Sequence, residues 1–215
     1  MLPRIVILGG TFDPIHIGHL AIAEDVRYTL DASHVLFVPA AQQPLKSYQH
    51  RASAAERLAM AQLATADNPA FSVSDIEIRR GGLSYTVETV AEIHAQHPEA
   101  QIFFTVGVDA AVTLPKWREV ERLLSLCRIV IVERPGYTFD PEVLMAELPA
   151  ARERILVVPG PALDISASEV RLRLSEGRPI RYHLPAAVRE YIEEHGLYQD
   201  APRDDITQSP AYRSQ

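Results

Sequence analysis

The sequence predicts an α/β fold in which helices cover both faces of a doubly wound, mostly parallel sheet of about six strands. Short apolar runs bounded by Gly, Pro or polar residues alternate with helical patterns along most of the 215 residues. A hydrophobic content of 47% is enough for one substantial core. The predicted strands are residues 4–8, 35–38, 71–78, 102–106, 129–132 and 155–158.

Local patterns set the individual elements. Four consecutive apolar residues, 5–8, are typical of a strand that is covered on both faces. Residues 71–78 alternate imperfectly, so we expect a strand nearer an edge, followed by a turn at 79–82. Residues 53–56 and 166–169 have the spacing of capping boxes at helix starts. The predicted helices, two of them C-terminal, are residues 17–30, 54–66, 84–97, 117–125, 166–177 and 185–195, with short helices or loops at 108–111 and 139–148.

Composition and charge limit the classes of function. The net charge of −7 argues against sequence-independent binding to a nucleic-acid polymer. No apolar run approaches the ~20 residues that span a membrane, and the chain opens on a strand rather than a signal peptide. The single cysteine, Cys127, lies in an apolar stretch, which predicts a buried, reduced thiol and fits the cytoplasm. Residues 1–198 are predicted to form one domain and residues 199–215 a mobile polar tail.

Residues 9–19 connect the first strand to the first helix and contain the strongest functional signal. Gly9 and Gly10 allow backbone N–H groups to approach a ligand closely. His16 and His19 are three residues apart, which places both imidazoles on one face of the first helical turn. The helix start adds free N–H donors and a partial positive charge. Together these features predict a phosphate site, at the carboxyl edge of the sheet where such folds bind ligands.

The stretch from Gly9 to His19 resembles the signature of the nucleotidyltransferases that carry an HxGH motif at the first helix of a Rossmann-like sheet. The spacing differs from a dinucleotide-binding GxGxxG and from a Walker A loop. Residues 164–171 resemble the second motif of that family, with Ala167 in place of a hydroxyl and Ser168 where Thr is common. The resemblance implies transfer of a nucleotidyl group from a nucleoside triphosphate to a phosphate, with release of pyrophosphate.

Three further segments resemble nicotinate-nucleotide adenylyltransferases, residues 82–89, 107–117 and 130–136, and the resemblance covers about residues 4–198. It implies ATP and nicotinate mononucleotide as substrates and Mg²⁺ held mainly by the ATP phosphates and water. The sequence shows no dedicated carboxylate cage for the ion, names no metal-ligating residue, and leaves open whether any residue ligates Mg²⁺ directly. The implied catalytic residues are His16, His19, Lys46 and Arg171. The implied ATP-binding residues are Gly9, Gly10, Thr11, Phe12, Gly18, Gly107, Asp109, Arg134, Ile165, Ser166 and Ser168. The implied nicotinate mononucleotide-binding residues are Tyr85, Thr86, Trp117 and Arg118.

Several alternatives stay open at this point. Asp109 is either a ribose contact or a helix N-cap, and the residues around Lys46 depart from the run that is usual in the family. The acceptor is alternatively nicotinamide mononucleotide or another phosphorylated compound, such as phosphopantetheine. A non-catalytic nucleotide sensor would be expected to lack a histidine or the second motif, and both are present. The other histidines, His183 among them, show no paired metal spacing, and the sequence does not settle whether the chain forms homo-oligomers.

Overall fold

The central sheet has six parallel strands in the order β3-β2-β1-β4-β5-β6, in a computed structural model that describes residues 2–42, 51–134, 136 and 139–199. This confirms the predicted doubly wound, Rossmann-like sheet. The strand order reverses direction between β1 and β4, since β2 and β3 lie on one side of β1 and the later strands on the other. The strands are β1 (Arg4–Gly10), β2 (His34–Pro39), β3 (Phe71–Val73), β4 (Gln101–Gly107), β5 (Arg128–Val132) and β6 (Ile155–Val158).

Helices cover both faces of this sheet and divide the core into two clusters. Helices α1, α2, α8 and α9 pack on one face, and α3 to α7 contribute to the cluster on the other. The helices are α1 (Ile17–Thr29), α2 (Ala54–Thr65), α3 (Ile76–Arg80), α4 (Thr86–Gln96), α5 (Val108–Ala111), α6 (Val120–Leu126), α7 (Pro141–Glu147), α8 (Ala167–Ser175) and α9 (Ala186–Glu194).

The apolar run of β1 explains why this strand lies at the centre. Val6 and Leu8 belong to the first cluster and Ile7 to the second, because successive side chains point to opposite faces of a sheet. All three are buried, as predicted from the unbroken apolar run. Cys127 is also buried, and burial raises the pKa of its thiol to about 12.

The strand predicted at 71–78 is wrong in its second half. Only Phe71–Val73 pairs, with β2, and residues 76–80 form α3 instead. Ser74 still donates from its N–H to the Phe37 carbonyl at 2.9 Å, and the strand stops there although β2 continues to Pro39. The helix also places the Ile76 side chain in the core and allows Asp75 to pair with Arg79 at 2.8 Å. Arg79 and Arg80 are therefore helical, and the predicted turn begins only at Gly81, whose φ is 69°.

Two further predictions need correction at helix starts. The helix predicted from Trp117 begins at Val120, because Glu119 adopts a left-handed conformation (φ 49°) and Trp117 is extended. The capping box at 166–169 is half formed: Ser166 Oγ accepts from the Glu169 N–H at 3.2 Å, but the Glu169 carboxylate pairs with Arg173. The box at Ser53 is complete, as predicted.

Two predictions fall on residues that the structure does not describe. Lys46 lies within residues 43–50, and all of the predicted tail except Gln199 lies beyond the last described residue. Among the described helices, none combines the length and the apolar character that crossing a membrane requires.

Candidate active site

The predicted functional residues gather at the carboxyl edge of the sheet, around the point where the strand order reverses. The loop after β1 leads into α1, α5 follows β4 directly, and the loop after β6 leads into α8. Parallel strands end at the same edge, so these helix starts present their free N–H groups on one side of the molecule. This is the edge at which the sequence predicts a phosphate site.

His16 and His19 form a stacked pair at the start of α1. His16 is the N-cap residue and His19 lies one turn later, with ring centroids 3.7 Å apart and ring planes inclined by 29°. The backbone N–H of His16 donates to Nδ1 of His19 at 3.2 Å. An imidazole nitrogen that accepts a hydrogen bond carries no proton, so neutral His19 has its proton on Nε2. In that tautomer the hydrogen-bond donor of the His19 ring is Nε2–H.

His16 is neutral at physiological pH. Its side chain is buried, and burial, with a smaller contribution from the nearby His183, lowers its pKa to about 4. Nδ1 of His16 has no hydrogen-bond partner among the described residues. The His183 carbonyl also accepts from the Ile17 N–H at 3.0 Å, which holds the segment before α9 against the start of α1. No sequence signal links His183 to this site, because it lies far along the chain from the first motif.

The lowered pKa of His16 makes stability depend on pH. The unfolded chain binds a proton below about pH 6.5, whereas folded His16 does so only near pH 4, so stability falls as pH decreases through this window. Through His16, the wild type should lose about 2 kcal/mol of its free energy of unfolding between pH 7.5 and pH 5. The variant His16→Asn should lack this part of the loss. Urea unfolding midpoints of both proteins at the two pH values measure this. Equal losses in wild type and variant would contradict the assignment.

Arg171 joins the two motifs. From its position on α8 it donates from Nη1 to the Asp13 carbonyl at 2.7 Å and from Nη2 to Ser168 Oγ at 3.2 Å. Gly18 lies near the same junction, since a Cβ atom there would lie 3.0 Å from Nδ1 of His16 and 3.6 Å from the carbonyl oxygen of Ile165. The loop that leads into α1 is therefore in direct contact with the second motif.

In the loop after β1, the large side chain of Phe12 is buried, which leaves the backbone to face a ligand. Phe12 has a positive φ of 52° and a buried ring that packs edge-on against His19, so its ring is not available to a ligand. Gly10 makes room for that ring, because a Cβ there would lie 2.8 Å from it. Thr11 Oγ1 is buried and finds no partner in the part of the chain that the structure describes.

Arg57 is a structural residue of this site that the sequence analysis missed. It is fully buried on α2, and it donates to the carbonyl oxygens of Thr11 at 2.8 Å, Ala40 at 2.6 Å and Ala41 at 3.3 Å. Burial lowers its pKa, and the Asp13 carboxylate acts in the opposite direction. One guanidinium thus holds the loops after β1 and β2 together. An arginine in helical register with Ala61 was the available signal.

A ring on β4 connects the phosphate loop to the predicted pyridine site. A Cβ atom on Gly9 would lie 3.1 Å from the Phe104 ring, so this ring lies directly against the loop of residues 9–13. The same ring also contacts Trp117, with centroids 6.3 Å apart and planes at 81°. The indole Nε1 of Trp117 donates to Thr113 Oγ1 at 3.1 Å, which fixes the ring orientation. The indole is partly exposed, so one portion packs on the core and the rest faces solvent.

The other predicted acceptor residues lie at the start of α4. Tyr85 is the N-cap residue and Thr86 the first residue of the helix. The guanidinium of Arg118 lies 4.5 Å from the centre of the Tyr85 ring and pairs with Glu88 at 3.3 Å. The charge of Arg118 is therefore partly offset by a carboxylate of the protein itself.

The predicted adenosine side is more exposed. Gly107 is the N-cap residue of α5 and has open space around it, and Asp109 is exposed in the first turn, so the N-cap alternative for Asp109 is wrong. Arg134, after β5, pairs with Asp164 at 3.3 Å across to the second motif. Gly160, which the sequence analysis missed, permits this approach, because a Cβ there would lie 2.1 Å from the Glu133 carbonyl oxygen.

Comparison with known proteins agrees with this geometry. Residues 7–173 match the family model described as cytidylyltransferase-like. A probable nicotinate-nucleotide adenylyltransferase from Roseiflexus sp. (strain RS-1) is 54% identical over 195 residues, which are 91% of this chain and 98% of the relative. This chain belongs to the nicotinate-nucleotide adenylyltransferase family.

Other members of the nicotinate-nucleotide adenylyltransferase family have similar coverage. A relative from Herpetosiphon aurantiacus is 48% identical over 197 residues, 92% of this chain and 99% of its own length. The fold also matches the solved Plasmodium falciparum nicotinic acid mononucleotide adenylyltransferase complexed with NaAD, with a TM-score of 0.74 and 22% identity. That match covers 91% of this chain and 97% of the other. Membership makes the chain a nucleotidyltransferase of the HxGH type, as the resemblance of residues 9–19 implies.

Proposed function

We propose that this chain transfers the adenylyl group of ATP to nicotinate mononucleotide, forming nicotinate adenine dinucleotide and pyrophosphate in NAD biosynthesis. The observation that carries the proposal is the hydrogen bond of 2.7 Å from Arg171 of the second motif to the Asp13 carbonyl, in the loop that leads into the His16–His19 helix start. Two helix starts that meet in this way can bind a triphosphate from both sides. The names and identities of the relatives support nicotinate mononucleotide as the acceptor.

The reaction needs alignment and charge stabilisation rather than a covalent nucleophile. A phosphate oxygen of the mononucleotide forms a bond to the α-phosphorus as the bond to the pyrophosphate oxygen breaks on the opposite side. We assign the Nε2–H of His19 to a phosphate oxygen on which negative charge increases in the transition state. His16 acts as a neutral neighbour that fixes the ring of His19 by stacking.

The remaining predicted residues are proposed to bind either the phosphates or the adenosine of ATP. We propose that the backbone of Gly9, Gly10 and Thr11 and the helix start at Ser166 contact the phosphates. Arg171 supplies a cation there, and Lys46 is proposed for the same role on resemblance alone. The Gly107–Asp109 turn and Arg134 are proposed for the ribose and adenine.

For the acceptor, we propose that Trp117 stacks on the pyridine ring. Thr86 and the N–H groups near residues 117–118 would then receive the carboxylate. Because Glu88 offsets part of the charge of Arg118, these N–H groups contribute more than that guanidinium to the preference for an acid over an amide.

Mg²⁺ fits this site as part of the bound MgATP. The buried carboxylate beside the phosphate loop, Asp13, already accepts hydrogen bonds on both oxygens, so it has little capacity left to ligate a metal. Within the described ranges there is no group of three or more His, Cys, Asp or Glu side chains that could hold an ion. Phosphate oxygens and water would therefore hold most of the ion, which neutralises triphosphate charge. We further propose a cytoplasmic location, where the Cys127 thiol stays reduced.

Comparison of acceptors tests this function. Purified protein with ATP and Mg²⁺ is offered nicotinate mononucleotide, nicotinamide mononucleotide or phosphopantetheine, and pyrophosphate release is measured. We expect the largest kcat/KM with the nicotinate compound. We also expect Trp117→Ala to raise its KM about 5- to 150-fold, because loss of ring stacking costs about 1–3 kcal/mol, with little change in the KM for ATP.

The three acceptors give distinguishable results. A preference for the amide would replace the proposed substrate by its close relative, and turnover of phosphopantetheine alone would move the chain to another acceptor class. Absence of pyrophosphate release with every acceptor would favour a nucleotide-binding sensor. A KM in Trp117→Ala equal to that of wild type would remove the stacking role.

A further inference from the structure

Tyr198, near the end of the described chain, reaches back to the phosphate loop. Its hydroxyl donates to Asp13 Oδ1 at 2.7 Å, although 185 positions separate the two residues. The Tyr198 ring is 9% exposed, and its φ of 63° turns the backbone sharply after α9. A left-handed conformation is unfavourable for a bulky residue, so packing around this side chain must stabilise it.

The carboxylate that Tyr198 contacts is a junction of the active-site loop. Asp13 is 3% exposed, and besides Tyr198 it accepts from the N–H of Arg51 at 2.9 Å and the N–H of Ala52 at 3.1 Å. Its backbone carbonyl accepts from Arg171 of the second motif. Asp13 therefore joins the phosphate loop to the start of α2, to α8 and to the C-terminal segment.

This junction sets the position of the histidine pair. Asp13 lies three residues before His16, and the loop between them has no helix or strand of its own. A buried carboxylate keeps a fixed position only while its oxygens are hydrogen-bonded. Among the residues that the structure describes, three donors reach this carboxylate, and Tyr198 is the one side chain. Burial and the Asp13 charge both raise the pKa of the Tyr198 hydroxyl, so it remains a donor across the working pH range.

We propose that Tyr198 is a positioning residue for adenylyl transfer, in that its hydroxyl fixes Asp13 and Asp13 fixes the turn from which His16 and His19 project. The inference rests on the proposed function and assigns the C-terminal end of the domain a role in it. Tyr198 touches neither reacting group, so its effect passes through Asp13. Misplacing the histidine pair affects the transition state more than binding of either substrate.

Tyr198→Phe tests this inference, because the ring and its packing are kept and only the hydroxyl is lost. We expect kcat to fall about tenfold, while KM for ATP and for nicotinate mononucleotide each change less than about twofold. Thr65→Val is the matched control. It removes a buried hydroxyl that donates to the Ala61 carbonyl at 3.0 Å at the far end of α2. The control should lower Tm by a similar amount with unchanged kcat.

A double-mutant cycle checks that the effect passes through Asp13. In an Asp13→Ala background, Tyr198→Phe should change kcat less than about twofold, since the acceptor of the Tyr198 hydroxyl is already gone. A kcat of Tyr198→Phe equal to that of wild type would overturn the inference and leave the proposed function intact. So would a fall in kcat that Thr65→Val reproduces at the same loss of Tm. Absence of wild-type turnover would overturn both.

Discussion

We expect His19→Ala to lower kcat for adenylyl transfer by about 10²–10³-fold, the usual effect of removing one donor from a developing oxyanion. The structure identifies that donor as Nε2–H, because Nδ1 accepts from the His16 N–H. His19→Asn sharpens the test, since its side-chain oxygen can still accept from His16 while the Nε2–H donor is lost. We expect a similar loss of kcat, measured by pyrophosphate release at saturating substrates.

His97→Ala is the control for His19. The exposed His97 side chain lies beside Pro3 and Ser33, at the opposite edge of the sheet, and kcat should remain within about twofold of wild type. Turnover by His19→Ala at the wild-type rate would contradict the role of that imidazole. Full activity in His19→Asn with loss in His19→Ala would reduce that role to capping the helix.

We expect Arg57→Met to destabilise the fold by about 3 kcal/mol. The substitution leaves the carbonyl oxygens of Thr11, Ala40 and Ala41 without their donors, and each buried unpaired group costs about 1–3 kcal/mol. For a domain of this size, that corresponds to a fall in Tm of roughly 6–12 °C, measured by thermal unfolding. The kcat should fall as well, because the phosphate loop loses its anchor to the loop after β2.

Arg128→Met controls for the loss of a guanidinium. Arg128 makes a single exposed hydrogen bond, to the Glu153 carbonyl at 3.3 Å, so its replacement should change stability by less than about 0.5 kcal/mol. Equal Tm values for Arg57→Met and wild type would show that water replaces the lost donors. The three carbonyl contacts would then carry little of the stability of this edge.

Most of the fold follows from patterns that the sequence displays locally. The unbroken apolar run of β1 predicts burial on both faces, and the Ser53 capping box predicts the start of α2; both are confirmed. The strand predicted at 71–78 failed because imperfect alternation does not distinguish a strand from a short helix with one buried side chain. Pairing ends at Val73 although β2 continues to Pro39, and Ile76 enters the core on a helix instead.

The residues of the candidate site likewise fall into those that local sequence patterns identify and those that they do not. The residues of the two motifs were recognisable because their spacing along the chain is itself the signal, and the structure brings them into contact through Arg171. Arg57, Gly160 and Tyr198 were not recognisable, since each acts on a partner in a distant segment. A buried arginine or tyrosine looks like any other until the carbonyl or carboxylate that it meets is known.

By itself, the sequence determined the doubly wound sheet, the helix start that carries His16 and His19, and the resemblance to the adenylyltransferases. Those features depend on adjacent residues in the chain and on the side-chain periodicity of a helix or strand. Only the tertiary structure decided that His16 is neutral, that the proton of neutral His19 lies on Nε2, and that Tyr198 reaches Asp13. Burial and hydrogen-bond partners set these properties, and both arise only when distant segments pack together.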